Sequence, residues 1–313
     1  MQHAEMELIQ SLPKVRGTYT PQADLAKHVW FRVGGPAEVL YKPADIDDLS
    51  FFLKEKPRDL PVNIIGVGSN LLIRDLGVPG VVIRLGRGFN NIAFHDDYVD
   101  VGAGVLDRTL ALSSCEESLE GMEFFSGIPG TIGGALRMNA GCYGSEVKDI
   151  LVKAFALDSR GTLHQLNNED MRFSYRHSGV PDDWFFIGAR FKGRKGNQSV
   201  IAEKINTLLA NREESQPVKA RTGGSTFANP EGMKAWELID KAGCRGLIVG
   251  DAQVSEKHCN FLINRGHATA DDLEKLGLEV QKRVLETSGI DLTWEIKRMG
   301  ISDEQLKLKF KAA

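Results

Sequence analysis

Cysteine is scarce in this chain of 313 residues. Cys115, Cys142, Cys244 and Cys259 are too few and too scattered for a disulfide scaffold, and no pair has the CxxC spacing of a structural zinc site. The seven histidines show no HxxxH or comparable helical metal spacing, so no metal is expected. No apolar run approaches the roughly 18 residues of a membrane span. Net charge is nearly absent: 39 basic and 42 acidic side chains leave −3, unlike a basic nucleic-acid binder or a polybasic membrane binder. The start, MQHAEMELIQSLPKVRG, lacks the basic-then-apolar layout of a signal peptide, so a reduced cytoplasmic setting is expected. With 42% hydrophobic and 26% charged residues, usage is that of an ordered globular protein, long enough for about two domains of roughly 150 residues.

Glycine is the residue in excess. It supplies 33 positions, above the average usage of about 7%, and it clusters in short loops beside apolar segments rather than spreading as linker.

The first third reads as β-rich. In 62–86, Ile64-Ile65, Leu71-Leu72-Ile73 and Val81-Val82-Ile83 are short apolar runs broken by Gly77 and Gly80, which predicts three strands joined by turns. Before it, Ile46, Leu49, Phe52 and Leu53 share a helical face within 43–56. Further helices are predicted near 107–119, 200–212 (Ile201, Ile205, Leu208, Leu209 on one stripe), 231–242 and 270–287, the last with Thr269 and Asp272 as a capping box. Strands are predicted near 246–249, 260–264 and 290–298, and the tail EQLKLKFKAA as a small amphipathic end. The polar stretch 212–224 marks a boundary.

Two glycine loops suggest chemistry. GVGSN (66–70) follows a strand, and the backbone N–H groups of such a turn can converge on an anion. It is no Rossmann fingerprint, since position 71 is leucine and a strand rather than a helix follows; no G-K-[ST] makes it a Walker loop. Alone it reads as a tight β-turn. The second stretch, FFSGIPGTIGGALRMNAGCYGSE (124–146), packs Gly127, Gly130, Gly133, Gly134, Gly141 and Gly144 into eighteen residues. Pro129 stiffens it, and Gly133-Gly134 precede a fair helical turn whose N-terminus would face negative charge. Together the loops suggest a large dinucleotide held by main chain in a β-rich setting.

GVGSNLLIRD and SGIPGTIGGALRMNAGCYG resemble the FAD-binding stretches of the MurB family, the UDP-N-acetylenolpyruvoylglucosamine reductases. The likeness continues in family order through SYRHS (174–178), TGGSTFANP (222–230), AGCRGLIVGDAQVSEKHCNFLINRG (242–266) and WEIKRMG (294–300), covering about 25–300. It implies an α+β fold of the vanillyl-alcohol-oxidase/PCMH type. FAD-binding subdomain 1 is expected over 1–86, with the tail 299–313 as a candidate addition to it, subdomain 2 over 87–217, and a substrate-binding α+β domain over 218–298.

The activity implied is the NADPH-dependent, FAD-mediated reduction of the enolpyruvyl group of a UDP-sugar to UDP-N-acetylmuramate. That reaction serves peptidoglycan, and through it cell-wall biogenesis, cell shape and division. The expected enzyme is an oxidoreductase and a monomer, with FAD and NADPH as cofactors and a small-molecule substrate, without nucleic-acid partner or membrane insertion. The runner-up is a flavin-dependent oxidase or dehydrogenase of the same fold acting on an alcohol or sugar; a third class is a non-catalytic nucleotide-binding module.

Carried over position by position, the resemblance puts FAD on Gly66, Gly68, Ser69, Asn70 and Leu71. It adds Ser126, Gly127, Ile128, Pro129, Gly130, Thr131, Gly133 and Gly134, then Asn139, Ala140, Gly141 and Gly144. Arg176 would meet the substrate carboxylate, Ser225 would donate the proton, and Glu295 would hydrogen-bond the developing charge. Ile290, Leu292, Trp294 and Ile296 alternate, which turns Glu295 to the face opposite that apolar row. Tyr175, Asn229, Gln253, Ser255, His258 and Asn260 would hold substrate. On residue type alone, Arg176 reads as an ion-pair arginine, Ser225 as a turn residue and Glu295 as the wet side of an edge strand. A serine hydrolase based on Ser225 with His177 or His258 fails because Gly223-Gly224-Ser225-Thr226-Phe227 lacks the last glycine of the nucleophile elbow.

Two positions depart from the family pattern. Ala228 stands where lysine is common, so either Lys219 or Arg221 supplies charge near the diphosphate or the pocket is weaker, and Trp30 replaces the threonine before Phe31–Gly35, the approach to the flavin. The short spacing from Arg176 to Ser225 leaves no room for an inserted substrate-clamping segment, so a shorter subtype with a different cover over the substrate is expected.

Overall fold

The computed structural model describes residues 8–302; the tail EQLKLKFKAA lies outside them. The chain divides into two compact units, each assembled from separate stretches. Among the described residues, the first takes 8–21, 39–66 and 80–212; the second takes 22–38, 67–79 and 213–302.

Two apolar cores organise the first unit. One gathers Leu12, Val39, Tyr41, Leu49, Phe52, Val81 and Ile83, with Leu157 and Phe185. Leu49, Phe52 and Leu53 come from the helix Ile46–Glu55, which starts at Asp45, whose carboxylate accepts the Asp48 N–H. That helix lies with a four-stranded sheet in the order Thr18–Asp24, Pro36–Lys42, Val78–Arg84, Val62–Ile65. The last two strands run parallel, Val62 opposite Val81.

The larger core fills one face of a five-stranded antiparallel sheet in the order Leu163–Leu166, Leu151–Leu157, Phe185–Lys192, Tyr98–Gly102, Ile92–Phe94. Phe185–Lys192 is central and almost wholly buried. Against Val99, Val101, Ala154, Ala156 and Phe191 pack Leu110 and Ala111 from the helix Asp107–Glu116, Ile132, Ala135 and Leu136 from the helix Ile132–Met138, and Ile201 and Ile205 from the helix Gln198–Ser215. Burying a side chain of this size contributes about 1.5–3 kcal/mol, so this layer fixes where the loop between the first two helices lies.

The second unit has its own core of Phe31, Leu72, Phe227, Ile239, Ala252, Val254, Leu262, Leu273, Leu276, Val280, Leu292 and Ile296. The helix Ala270–Ser288 has the predicted capping box: Thr269 accepts the Asp272 N–H and Asp272 accepts the Thr269 N–H. It ends at Gly289 in the left-handed conformation (φ 72°). Ala252–Val254 sits between Ile248–Val249 and Leu262–Asn264.

The predicted strand over 290–298 is much shorter. Only Lys297–Met299 is a strand, parallel to Leu71–Ile73, and Trp294 makes an isolated bridge to Phe227. The reason is irregular pairing: the Thr226 carbonyl accepts both the Glu295 N–H at 2.8 Å and the Ile296 N–H at 3.4 Å, which breaks the ladder as a bulge does. The alternation survives in burial, with Leu292 and Ile296 inside and Thr293 and Lys297 exposed.

Candidate functional site

The second glycine loop runs beside residues 103–107. Asp107 N–H donates to the Gly130 carbonyl, Ile132 N–H to Val105 and Gly133 N–H to Ala103. Gly133 and Gly134 thus lie inside the helix Ile132–Met138 rather than before it, and two of its first N–H groups are already engaged.

Gly66, the last residue of the stretch 39–66, meets the second glycine loop within the first unit. A β-carbon on Gly66 would lie 2.6 Å from Thr131 Oγ1, so only glycine lets the end of the strand Val62–Ile65 approach the second loop. Gly127 is held against Cys142, whose Sγ donates to the Phe124 carbonyl at 3.0 Å; burial pushes that thiol up to about 11, so it is not a thiolate. Tyr143 (φ 52°) and Gly144 (φ 86°) form the two-residue turn of a hairpin closed by Cys142 and Ser145.

Several polar side chains of this loop support the backbone. Ser126 Oγ donates to the Glu123 carbonyl. Asn139 is fully buried and left-handed; its amide donates to Glu146 and to the Ser174 carbonyl, and its oxygen accepts the Lys148 N–H. The side chains of Ser126 and Asn139 are thus engaged within the protein itself.

Arg176 belongs to the same loop cluster. Ser174 and His177 pair across a tight turn with Arg176 in the left-handed region (φ 53°), a conformation that costs an ordinary residue about 1 kcal/mol or more. Its guanidinium donates to the Gly141 carbonyl at 2.7 Å, lies 3.7 Å from Glu146 and stacks 5.0 Å from the exposed Tyr175 ring. Burial alone would raise the Glu146 carboxyl, but bonds from Lys148 and Asn139 and the nearby charges of Lys148 and Arg176 hold it below its usual range.

One buried group here gave no sequence signal. Asp107 opens the helix Asp107–Glu116 fully buried, with no hydrogen-bond partner for either carboxylate oxygen, and its Oδ2 lies against Gly130. Burial raises its pKa well above the carboxylate range. An acid at a helix start reads as an ordinary macrodipole partner, so residue type alone could not reveal it.

The second unit brings Ser69, Asn70, Ser225 and Glu295 together. Gly223 packs on the Phe31 ring, where a β-carbon would sit 2.4 Å from Cε2. Gly224 takes φ 83° beside the Ser69 carbonyl, and a β-carbon there would lie 3.8 Å from it. Asn70 donates its amide to the Glu295 carbonyl at 3.2 Å and accepts the Lys297 N–H at 3.0 Å. Glu295 N–H donates to Thr226, the neighbour of half-exposed Ser225. Gly68 (φ 68°) holds this turn: its carbonyl accepts the Trp30 N–H, and a β-carbon would strike the His28 carbonyl.

The remaining sequence-predicted residues lie in the same unit. Asn229 is exposed and accepts the Ala235 N–H, capping the helix Ala235–Lys241. Gln253 is half-buried in its strand. Ser255 Oγ accepts the Lys257 and His258 N–H groups. His258 Nδ1 accepts the Asn260 N–H, and burial lowers its pKa, favouring neutral imidazole. The Asn260 amide is bonded to Phe227. Lys219 pairs with Glu213, and Arg221 donates to the Gly266 carbonyl.

The geometry suits a flat cofactor held by main chain. A β-carbon on Gly144 would meet nothing within 4 Å, and one on Gly134 only Thr131 Oγ1 at 3.7 Å, so the loop surface there is open to a ligand. The residues present fit FAD on that count.

Known proteins agree. A model described as an FAD binding domain matches residues 37–167, and one described as the UDP-N-acetylenolpyruvoylglucosamine reductase C-terminal domain matches 216–299. The curated UDP-N-acetylenolpyruvoylglucosamine reductase of Parvibaculum lavamentivorans is 58% identical over 96% of this chain and 97% of its own. That of Paramagnetospirillum magneticum is 59% identical over 93% and 94%. The crystal structure of the Thermus caldophilus enzyme (MurB) superposes with a TM-score of 0.79 at 33% identity, over 92% of this chain and all of that one. With its α+β, FAD-binding fold and this degree of identity along nearly its whole length, the chain belongs to the UDP-N-acetylenolpyruvoylglucosamine reductase (MurB) family.

Proposed function

We propose that this protein reduces the enolpyruvyl ether of UDP-N-acetylglucosamine to UDP-N-acetylmuramate, with FAD and NADPH, for peptidoglycan. The observation that carries the reading is the pairing of Glu295 with Thr226, which sets the Ser225 loop and the Glu295 segment side by side in one unit. When bound, FAD would supply the two-electron chemistry that links NADPH to the enolpyruvyl methylene carbon.

The chain's residues manage the charge that follows. Hydride addition leaves an electron pair on the neighbouring carbon, delocalised into the carboxylate. Ser225 Oγ–H gives that carbon its proton and is reprotonated from solvent. Arg176 meets the carboxylate with a planar, permanent cation, and Glu295 hydrogen-bonds the developing charge. Ser126–Gly134, Asn139–Gly144 and Gly66–Leu71 hold the cofactor mainly by backbone. Of the residues expected to hold substrate, Tyr175, Asn229, Gln253, Ser255 and His258 border the sugar nucleotide, whereas Asn260 has its amide bonded to Phe227, and the chain acts as a cytoplasmic monomer. Among the described residues no helix is long and apolar enough to cross a membrane.

The test is spectroscopic. The purified protein should be yellow, bleach with NADPH, and regain colour on addition of the enolpyruvyl sugar nucleotide. Rapid reoxidation by oxygen with an alcohol as electron donor would instead support the oxidase reading.

A further inference from the structure

Asn260 grips the loop that carries Ser225 from one side through three hydrogen bonds. The Asn260 side chain accepts the Phe227 N–H on Oδ1 at 2.9 Å and donates from Nδ2 to the Phe227 carbonyl at 2.7 Å. Its own carbonyl accepts the Thr226 N–H at 2.7 Å, and its N–H donates to His258 Nδ1. Asn260 is 4% exposed, and Phe227 beneath it is 1% exposed against Trp294. The side-chain amide thus does for Phe227 what a neighbouring strand would do, pairing its N–H and its carbonyl at once. Both polar ends of that amide are engaged.

The backbone on either side is irregular and needs such a grip. Ser225 forms an isolated bridge to Phe261, Gly224 is left-handed, and Thr226 is shared by Glu295 and Ile296. No continuous ladder holds Ser225–Phe227. The loop 255–261 is itself pinned by Ser255, whose N–H donates to Phe261 and whose hydroxyl accepts from Lys257 and His258.

From this juxtaposition we infer that Asn260 is a positioning residue for Ser225, acting through the two-bond clamp on Phe227 rather than by touching substrate. The inference rests on the reading of Ser225 as proton donor. A proton transfer to carbon tolerates little misplacement: an error near 1 Å costs on the order of 10²-fold in rate.

The experiment uses the flavin-loaded protein and its two half-reactions. In Asn260→Ala, bleaching by NADPH and the dissociation constant of the enolpyruvyl sugar nucleotide, read from flavin absorbance, should stay within about 3-fold, while reoxidation by that substrate slows by roughly 10²-fold. Amide exchange at Thr226 and Phe227 should rise in the same sample. Asn260→Asp supplies a second arm, useful if the alanine variant does not fold. Its neutral carboxyl can donate to the Phe227 carbonyl as the amide does, and its carboxylate cannot. Reoxidation should therefore slow as pH rises, in a one-proton step absent from the native enzyme. A raised dissociation constant with an unchanged saturated rate would make Asn260 a substrate contact and overturn the inference. So would an equal loss in both half-reactions together with the flavin, or an Asn260→Asp profile parallel to the native one. Normal turnover in Ser225→Ala would remove the underlying reading instead, leaving the clamp itself to be read from amide exchange.

Discussion

A methyl group on Gly66 would sit 2.6 Å from the hydroxyl oxygen of Thr131, inside any real contact distance. The end of one strand and the turn of a loop 65 positions later are thus in direct backbone-to-side-chain contact, and both are proposed to hold the cofactor. Gly66→Ala should lower flavin occupancy and cost about 1–3 kcal/mol of stability, the range for overpacking a filled site. Adding Thr131→Ala removes the oxygen in the way and should recover part of both losses. Flavin-to-protein absorbance ratios and melting curves of the four proteins check it; an additive cycle would show that the two residues do not oppose each other.

Ser225→Ala should leave FAD binding and the NADPH half-reaction near normal and abolish substrate turnover. Stopped-flow bleaching followed by substrate addition separates the two steps. Recovery of colour at the native rate would exclude Ser225 from the proton transfer.

Arg176→Ala should cost roughly 3 kcal/mol of transition-state stabilisation, the scale of a lost oxyanion donor, or about 10²-fold in kcat/KM. Because this guanidinium also holds the Gly141 carbonyl, flavin content must be measured alongside. Arg176→Lys keeps the charge and loses the fork, so it should recover only part of the rate. A loss no greater than that of a surface substitution would assign Arg176 to the scaffold alone.

Asp107 makes stability depend on pH. Burial raises its pKa in the folded protein above the unfolded value of about 3.9. Below that value both states hold the proton. Above it the unfolded chain releases the proton while the folded chain keeps it, so stability falls as pH rises until the folded carboxyl itself ionises. Asp107→Asn, which cannot ionise, should lack this slope. Its melting temperature relative to the native protein should climb between pH 4 and pH 8; a constant difference would mean that the carboxyl is solvated.

The sequence was readable where the physics is local. Thr269 and Asp272 announce a helix start because a capping box is a relation between neighbours, and the apolar stripe through Ile201 and Ile205 declares its buried side. It was less readable where the partner of a polar group lies far along the chain. Asn139 and Asn260 stand in motifs that resemble the family's ligand-holding stretches, and nothing local announces that their amides also bind Ser174 and Phe227, 35 and 33 positions away. Ile290–Ile296 alternates as a strand should, but Thr226 offers one carbonyl to two N–H groups, which only the folded backbone reveals. The roles of Arg176, Ser225 and Glu295 came from motifs in family order, since each residue alone has an ordinary structural use.

Arg74 lies between Glu274, at 2.9 Å, and the Gly300 carbonyl, 226 positions further on, and Leu71–Ile73 takes Lys297–Met299 as its parallel partner. A ribosome making the chain at about 5–20 residues per second must therefore release residues 71–74 well before these partners exist. During that interval Leu72 and Ile73, both buried in the finished protein, remain without the strand that joins them, so the second unit completes only once Lys297–Met299 has been made.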